Sequence, residues 1–223
     1  KRLSTSRNWA VWLPDYLSHY EPDPLRYLLS INMPETGDTD FSWREFVRRN
    51  NDELVATYGN LVHRVLTFVY RRFDGCVPVP GEIDSHSQGL IEKAKDTLNI
   101  MDGLVYRCHF KEAIRLAMSL AQETNRYLDV KSPWKIIEQD RQAAANSLYV
   151  ALGVISCLKT ILYPFLPFSS QQLHEFLGFK GSVEDDGWQL HFPSPGQRLL
   201  APKPLFSKLD EGLVAEEASR LGE

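Results

Sequence analysis

The sequence predicts an all-α protein: an antiparallel helix bundle preceded by a short connecting segment and followed by a loop-rich tail. Three observations carry this. Long stretches of the 223 residues place apolar side chains at three- and four-residue spacing. Short connections rich in Gly and Pro separate those stretches, which suits antiparallel neighbours. Nothing alternates strand with helix, so no dinucleotide-binding sheet is present.

The elements follow in order. Residues 14 to 43 read as irregular, punctuated by Pro14, Pro22, Pro24, Pro34 and Gly37. Within them "DPLRYLLSI" predicts one short helix, with Asp23 as cap, Pro24 in the first turn, and Leu25, Leu28 and Leu29 on one face. "SWREFVRRNNDELVATYGNLVHRVLTFVYRRF" predicts a long helix. Ser42 and Glu45 form a capping-box signature at its start, and Leu54, Tyr58, Leu61, Val62, Val65 and Val69 run along its apolar side. Gly75, Pro78, Pro80 and Gly81 end it. Further helices are expected from Ser85 to about Tyr106, from Phe110 to about Leu128, and from Asp140 to Tyr163. A short one over "SSQQLHEFLGF" is expected to be capped by Ser169 or Ser170. The domain boundaries expected are 1–43 for a connecting segment, 44–178 for the bundle and 179–223 for the tail.

Composition narrows the function. A net charge of −4 argues against nucleic-acid binding through bulk charge, while leaving room for a local basic face. Three dispersed cysteines (Cys76, Cys108, Cys157) fit a reducing compartment better than a disulfide framework. The histidines never pair at ligand spacing, so no metal site is expected. There is no charged-then-apolar leader, so no secretory signal is expected. The apolar run from Ser147 to Phe168 is long enough to span a membrane, but Lys159 near its centre would cost about 3 kcal/mol in lipid. A buried helix of a soluble bundle is the better reading.

Catalytic constellations are missing from the sequence: no Gly-x-Ser-x-Gly, no phosphate loop, no His-Glu-x-x-His. The body is expected to bind rather than transform. On the long helix, Asn60, Arg64, Thr67 and Arg71 fall opposite the apolar stripe. An amide and a guanidinium one turn apart offer forked donors and an acceptor to a base edge; a merely solvated face has the same pattern. Trp134 in "NRYLDVKSPWK" sits at a helix break between Lys131 and Lys135. It reads either as a plug for the core or as a stacking platform for an unpaired base. The basic, hydroxyl-rich "RLSTS", Arg2 to Ser6, reads either as a solvated terminus or as a phosphate-holding loop.

Together these stretches resemble the class I aminoacyl-tRNA synthetases, in their methionyl branch. Arg2, Leu3, Ser4, Thr5 and Ser6 are similar to the Lys-Met-Ser-Lys-Ser signature, with Arg2 and Thr5 in place of its two lysines. "DPLRYLL", "PETGDTDFSWREFVRRNNDELVATYGNLVHRVLTF", "NRYLDVKSPWK" and "PKPLFSKLD" resemble that branch in the same order. The resemblance implies a bundle of the class I anticodon-binding type within an enzyme that attaches methionine to tRNA using ATP and Mg²⁺. It implies an anticodon loop, CAU, as partner, its cytosine stacked on Trp134 and hydrogen-bonded by Asn60 and Arg64. It also implies a nucleotide fold and any zinc site upstream, so this chain alone is expected to bind tRNA and to be inactive as an enzyme. Rival readings are the bundle of a cysteinyl or leucyl enzyme, or a helical protein-interaction module whose arginines meet an acidic partner.

Overall fold

The structure is a computed structural model that describes residues 11–35 and 37–219. Arg2 to Ser6, the loop similar to the class signature, lie outside the described residues. The elements are α1 (Leu13–His19), α2 (Pro22–Ile31), α3 (Trp43–Arg49), a π segment (Asn50–Gly59) and α4 (Asn60–Arg72). They continue with α5 (Ser85–Tyr106), α6 (Phe110–Lys131), α7 (Pro133–Ile136), α8 (Arg141–Leu162), α9 (Pro167–Phe176), α10 (Val183–Asp186) and α11 (Leu213–Ser219). Among the described residues there is no strand, only an isolated antiparallel bridge between Cys76 and Arg198. The expected fold class therefore holds.

The three 22-residue helices α5, α6 and α8 pack on one another, with α4 against α8. Their core contains the apolar stripe of the long helix: Leu54, Tyr58, Leu61, Val62, Val65 and Val69 are all buried. Asp84 and Asp140 cap α5 and α8 by accepting from the backbone N–H groups of Ser87 and Ala143. The membrane-length helix α8 is 89% buried over its apolar window. Lys159 lies wholly inside, donating to Asp186 at 2.9 Å and to His174 Nδ1 at 3.1 Å.

Four expectations need correction. Residues 14–43 hold an additional helix, α1, whose Tyr16 is buried against Trp43 and Phe46. This seven-residue helix leaves Leu13 and Leu17 exposed and buries only that tyrosine, too little to show as an apolar stripe. Asp23 is not the cap of α2, since Glu21 occupies the N-cap position. Its buried carboxylate instead accepts from Ser169 in α9, so neither Ser169 nor Ser170 caps that helix by its own side chain. The long helix is also not uniform. Its middle ten residues adopt i→i−5 spacing, as in the bond from Asn60 N–H to Val55 O.

Gly59 closes that wide segment. A Cβ there would lie 2.8 Å from the Leu54 carbonyl and 3.3 Å from the Phe206 ring. The tail uses the same place. Phe206 packs on Tyr58, Asn50 donates to the Ser207 carbonyl, and Asn51 exchanges two hydrogen bonds with Leu209. Beyond it, Leu209, Leu213 and Val214 join a second small core formed by Tyr16, Leu25, Leu28, Trp43, Phe46 and Val47.

Candidate nucleic-acid interface

Two irregular backbone features set the positions of the predicted base readers. The π segment ends at Gly59, and the next residue, Asn60, opens α4 with its side chain exposed. Arg64 follows one turn later on the same face, as the spacing predicts. Across from α4, α6 is stopped by Ser132, which adopts a left-handed conformation with φ of 44°. The Ser132 N–H bonds to the Leu128 carbonyl and its hydroxyl to the Asp129 carbonyl. Pro133 then starts the single turn α7 and throws Trp134 back toward α4.

The structure brings Arg64 and Trp134 together. The Arg64 guanidinium carbon stands 4.5 Å from the centre of the indole ring. Trp134 is half-buried, and Phe68 of α4 meets its ring edge-to-face at 6.4 Å. The packing reading of this tryptophan is visible in that contact, and the stacking reading is not decided by it. It packs against the edge of the core, and it also offers a ring face at the surface. That face is not bare, because Arg64 covers it.

Two residues that sequence reasoning missed complete the cluster. Arg64 Nη2 donates to Asn125 Oδ1 at 3.0 Å, and Arg64 Nη1 lies 3.5 Å from Asp129 Oδ1. Both acceptors are on α6, four residues apart, inside the stretch "NRYLDVKSPWK". The i, i+4 spacing was the available signal, since it puts both on one side of the helix that ends three residues before Trp134. Lys131, expected beside the tryptophan, is instead ion-paired with Asp84 and stands 5.9 Å over the Tyr127 ring. Lys135 is exposed. Of the remaining arginines of the long helix, Arg48 and Arg49 pair with Glu45 and Glu53, and Arg72 pairs with Glu138. Arg71 stays on the exposed face, and Thr67 is half-buried.

Chemically, the cluster combines a planar fork of donors and an exposed amide one turn apart on α4 with a π face supplied by α7. Such a set suits an unstacked base, held by its ring and read along its edge. Among the described residues no group of three or more His, Cys, Asp or Glu side chains is placed to hold a metal ion.

The family matches of this chain lie in the tRNA synthetase class. Residues 1–66 match the family described as tRNA synthetases class I (M). Residues 77–223 match the anticodon binding domain of methionyl tRNA ligase, and the chain belongs to that family. Asn60 and Arg64 fall in the first matched region and Trp134 in the second, so the cluster straddles both. A methionine–tRNA ligase of Dehalococcoides mccartyi (strain 195) is 58% identical over 222 residues, covering 100% of this chain and 40% of that protein. One of Thermomicrobium roseum is 44% identical, covering 99% and 42%. The chain thus spans about two fifths of the length of these relatives. Two solved structures of Mycobacterium tuberculosis methionyl-tRNA synthetase share the fold at 26% identity. The free form superposes with a TM-score of 0.78 over 84% of this chain and 39% of that one. The complex with methionyl-adenylate gives 0.77 over 82% and 37%.

Proposed function

We propose that this chain reads the anticodon CAU for a cytoplasmic methionine–tRNA ligase. The observation that carries this is the Arg64 guanidinium stacked on Trp134, with the exposed amide of Asn60 one turn away. The first anticodon base, a cytosine, enters between them. Its ring stacks on the indole beside the Arg64 guanidinium, which keeps its place and, with Asn60, meets the Watson–Crick edge. A bidentate polar contact of this kind discriminates between bases by roughly 1–3 kcal/mol.

Methionine activation with ATP and Mg²⁺ belongs to the catalytic unit of the whole ligase. Arg2 to Ser6 would contribute backbone donors and hydroxyls to the ATP phosphates there. Thr5 lacks the cation that the second lysine of the signature supplies, so that job would fall to backbone donors, hydroxyls or a neighbouring cation such as Arg7. The 223-residue chain alone binds tRNA and gives no methionine-dependent exchange of pyrophosphate into ATP.

Titration of the chain with anticodon stem-loop hairpins tests the reading. A hairpin carrying CAU should bind at least tenfold more tightly than one carrying UAU at the same salt concentration. Equal affinity for both would refute it.

A further inference from the structure

Arg64 does not fix its own place, because a guanidinium at the end of a flexible stem needs acceptors to set its plane. Asp129 is a weak one. It is two-thirds exposed, and its oxygen stands 3.5 Å away, a contact that water and salt screen. Asn125 is half-buried and makes two hydrogen bonds. Its Oδ1 accepts from Arg64 Nη2 at 3.0 Å, and its Nδ2 donates to the Thr57 carbonyl at 3.1 Å.

Arginine can only donate and a carbonyl can only accept, so one orientation of the amide satisfies both partners. Thr57 lies in the π segment three residues before Asn60. A single side chain therefore fastens the Arg64 guanidinium and the stretch of backbone that delivers Asn60.

We propose that Asn125 is a positioning residue of this site, holding Arg64 in register with both the Trp134 ring and the Asn60 segment. The proposal rests on the anticodon reading above and locates part of its selectivity in preorganisation, away from the base itself. Two variants divide the two bonds. Asn125→Ala removes both. Asn125→Asp keeps an acceptor for Arg64 but sets an oxygen against the Thr57 carbonyl.

The experiment has two readouts on the full chain, after circular dichroism has shown each variant folded. The first is the emission of Trp134 in the free protein, taken as the difference from the matching Trp134→Phe protein, with Arg64→Ala as the reference for an uncovered ring. Asn125→Ala should reproduce the Arg64→Ala emission, and Asn125→Asp should keep that of the wild type. The second readout is hairpin binding. Asn125→Ala should lower the preference for CAU over UAU about tenfold while changing the UAU affinity less than about twofold.

Wild-type emission in Asn125→Ala would overturn the positioning role, whatever the hairpins do. A wild type with no preference for CAU would refute the anticodon reading instead, and the emission comparison would still decide whether Asn125 holds Arg64. Equal loss on both hairpins would make Asn125 a general binding contact and overturn the proposal.

Discussion

Asp23, in the first turn of α2, accepts from both the backbone N–H and the hydroxyl of Ser169, each at 2.6 Å. The first turn of one helix thereby caps another that begins 144 residues later (167 − 23). The α9 N-terminus needs this, because its own N-cap residue, Leu166, has no side-chain oxygen to offer.

Replacing Asp23 tests the cross-helix cap. Asp23→Ala should cost about 1–3 kcal/mol, since it strands a buried donor of Ser169. Asp23→Asn keeps an acceptor and should stay within about 1 kcal/mol of the wild type at neutral pH. Burial raises the Asp23 pKa above its ordinary value, against the lowering effect of the Ser169 bonds. A raised folded-state pKa contributes stability that is full below the unfolded value and is lost as pH rises through the folded one. Urea midpoints of Asp23→Asn between pH 3 and 7 should therefore lack that component. An Asp23→Ala protein as stable as the wild type would show that the cap carries no weight.

The buried Lys159 network gives a second pH dependence, of opposite sign. Burial lowers the His174 pKa, so its ring is neutral, accepting from Lys159 at Nδ1 and bonding to the Lys180 carbonyl through Nε2. Burial works against the Asp186 charge, but the Lys159 hydrogen bond and charge outweigh it and lower its pKa. Both groups contribute stability that is full above their unfolded values and lost as pH falls through the folded ones. His191 and Glu175 also face this cluster. Urea midpoints should fall below about pH 6.5 as His174 charges, and again in the carboxylate range as Asp186 is protonated. His174→Asn keeps an acceptor for Lys159 and should flatten the first decline only. Lys159→Met should cost about 3 kcal/mol at pH 7 by stranding Asp186. A His174→Asn protein with the wild-type decline would remove His174 as its source.

The regular parts of the fold were legible because periodicity reports burial. The stripe from Leu54 to Val69 and the spans of α5, α6 and α8 follow from it to within a few residues. The π segment was not legible. A 3.6-residue projection places Leu54, Tyr58 and Leu61 on the same side whether or not one turn is widened, and only Gly59 marks the site. Chemistry and spacing marked Asn60 and Arg64 together with Thr67 and Arg71, and Trp134 separately; only the resemblance narrowed them to three base readers. Their partners Asn125 and Asp129 could not be named, because contact between α4 and α6 depends on the crossing of two helices 61 residues apart in sequence at the Arg64–Asn125 bond. Asp23 was misassigned for the same reason. A carboxylate beside a proline has the local pattern of a cap whether it serves its own helix or a distant one.

Arg64→Lys should prove a non-conservative change. Lysine keeps the positive charge but cannot lie flat on the Trp134 ring while donating along one plane to Asn125 and Asp129. Selectivity for cytosine at the first anticodon position should fall by roughly 1–3 kcal/mol. The salt dependence of binding should hardly change, since the charge count at the interface is preserved. Hairpin titrations at two salt concentrations measure both quantities. Equal losses on every anticodon sequence would make Arg64 a phosphate contact.

Trp134→Ala should affect stability and binding together, because the ring has two duties. Its edge-to-face contact with Phe68 makes it part of the core margin, and its other face lies beneath Arg64. A fully buried tryptophan truncated to alanine costs roughly 3–5 kcal/mol through the cavity left behind. Half-buried at a helix end, Trp134 should cost less, about 1–3 kcal/mol. Hairpin affinity should fall by a further 1–3 kcal/mol or so per folded molecule, from the lost stacking of one base. Trp134→Phe is the informative control. It keeps an aromatic face for the base and for the Arg64 guanidinium, so it should recover part of the affinity while leaving a smaller void beside Phe68. Urea midpoints and hairpin binding for the three proteins, under one salt condition, separate the two duties. Lost stability with unchanged binding per folded molecule would leave Trp134 a packing residue alone, and the cytosine would need another platform.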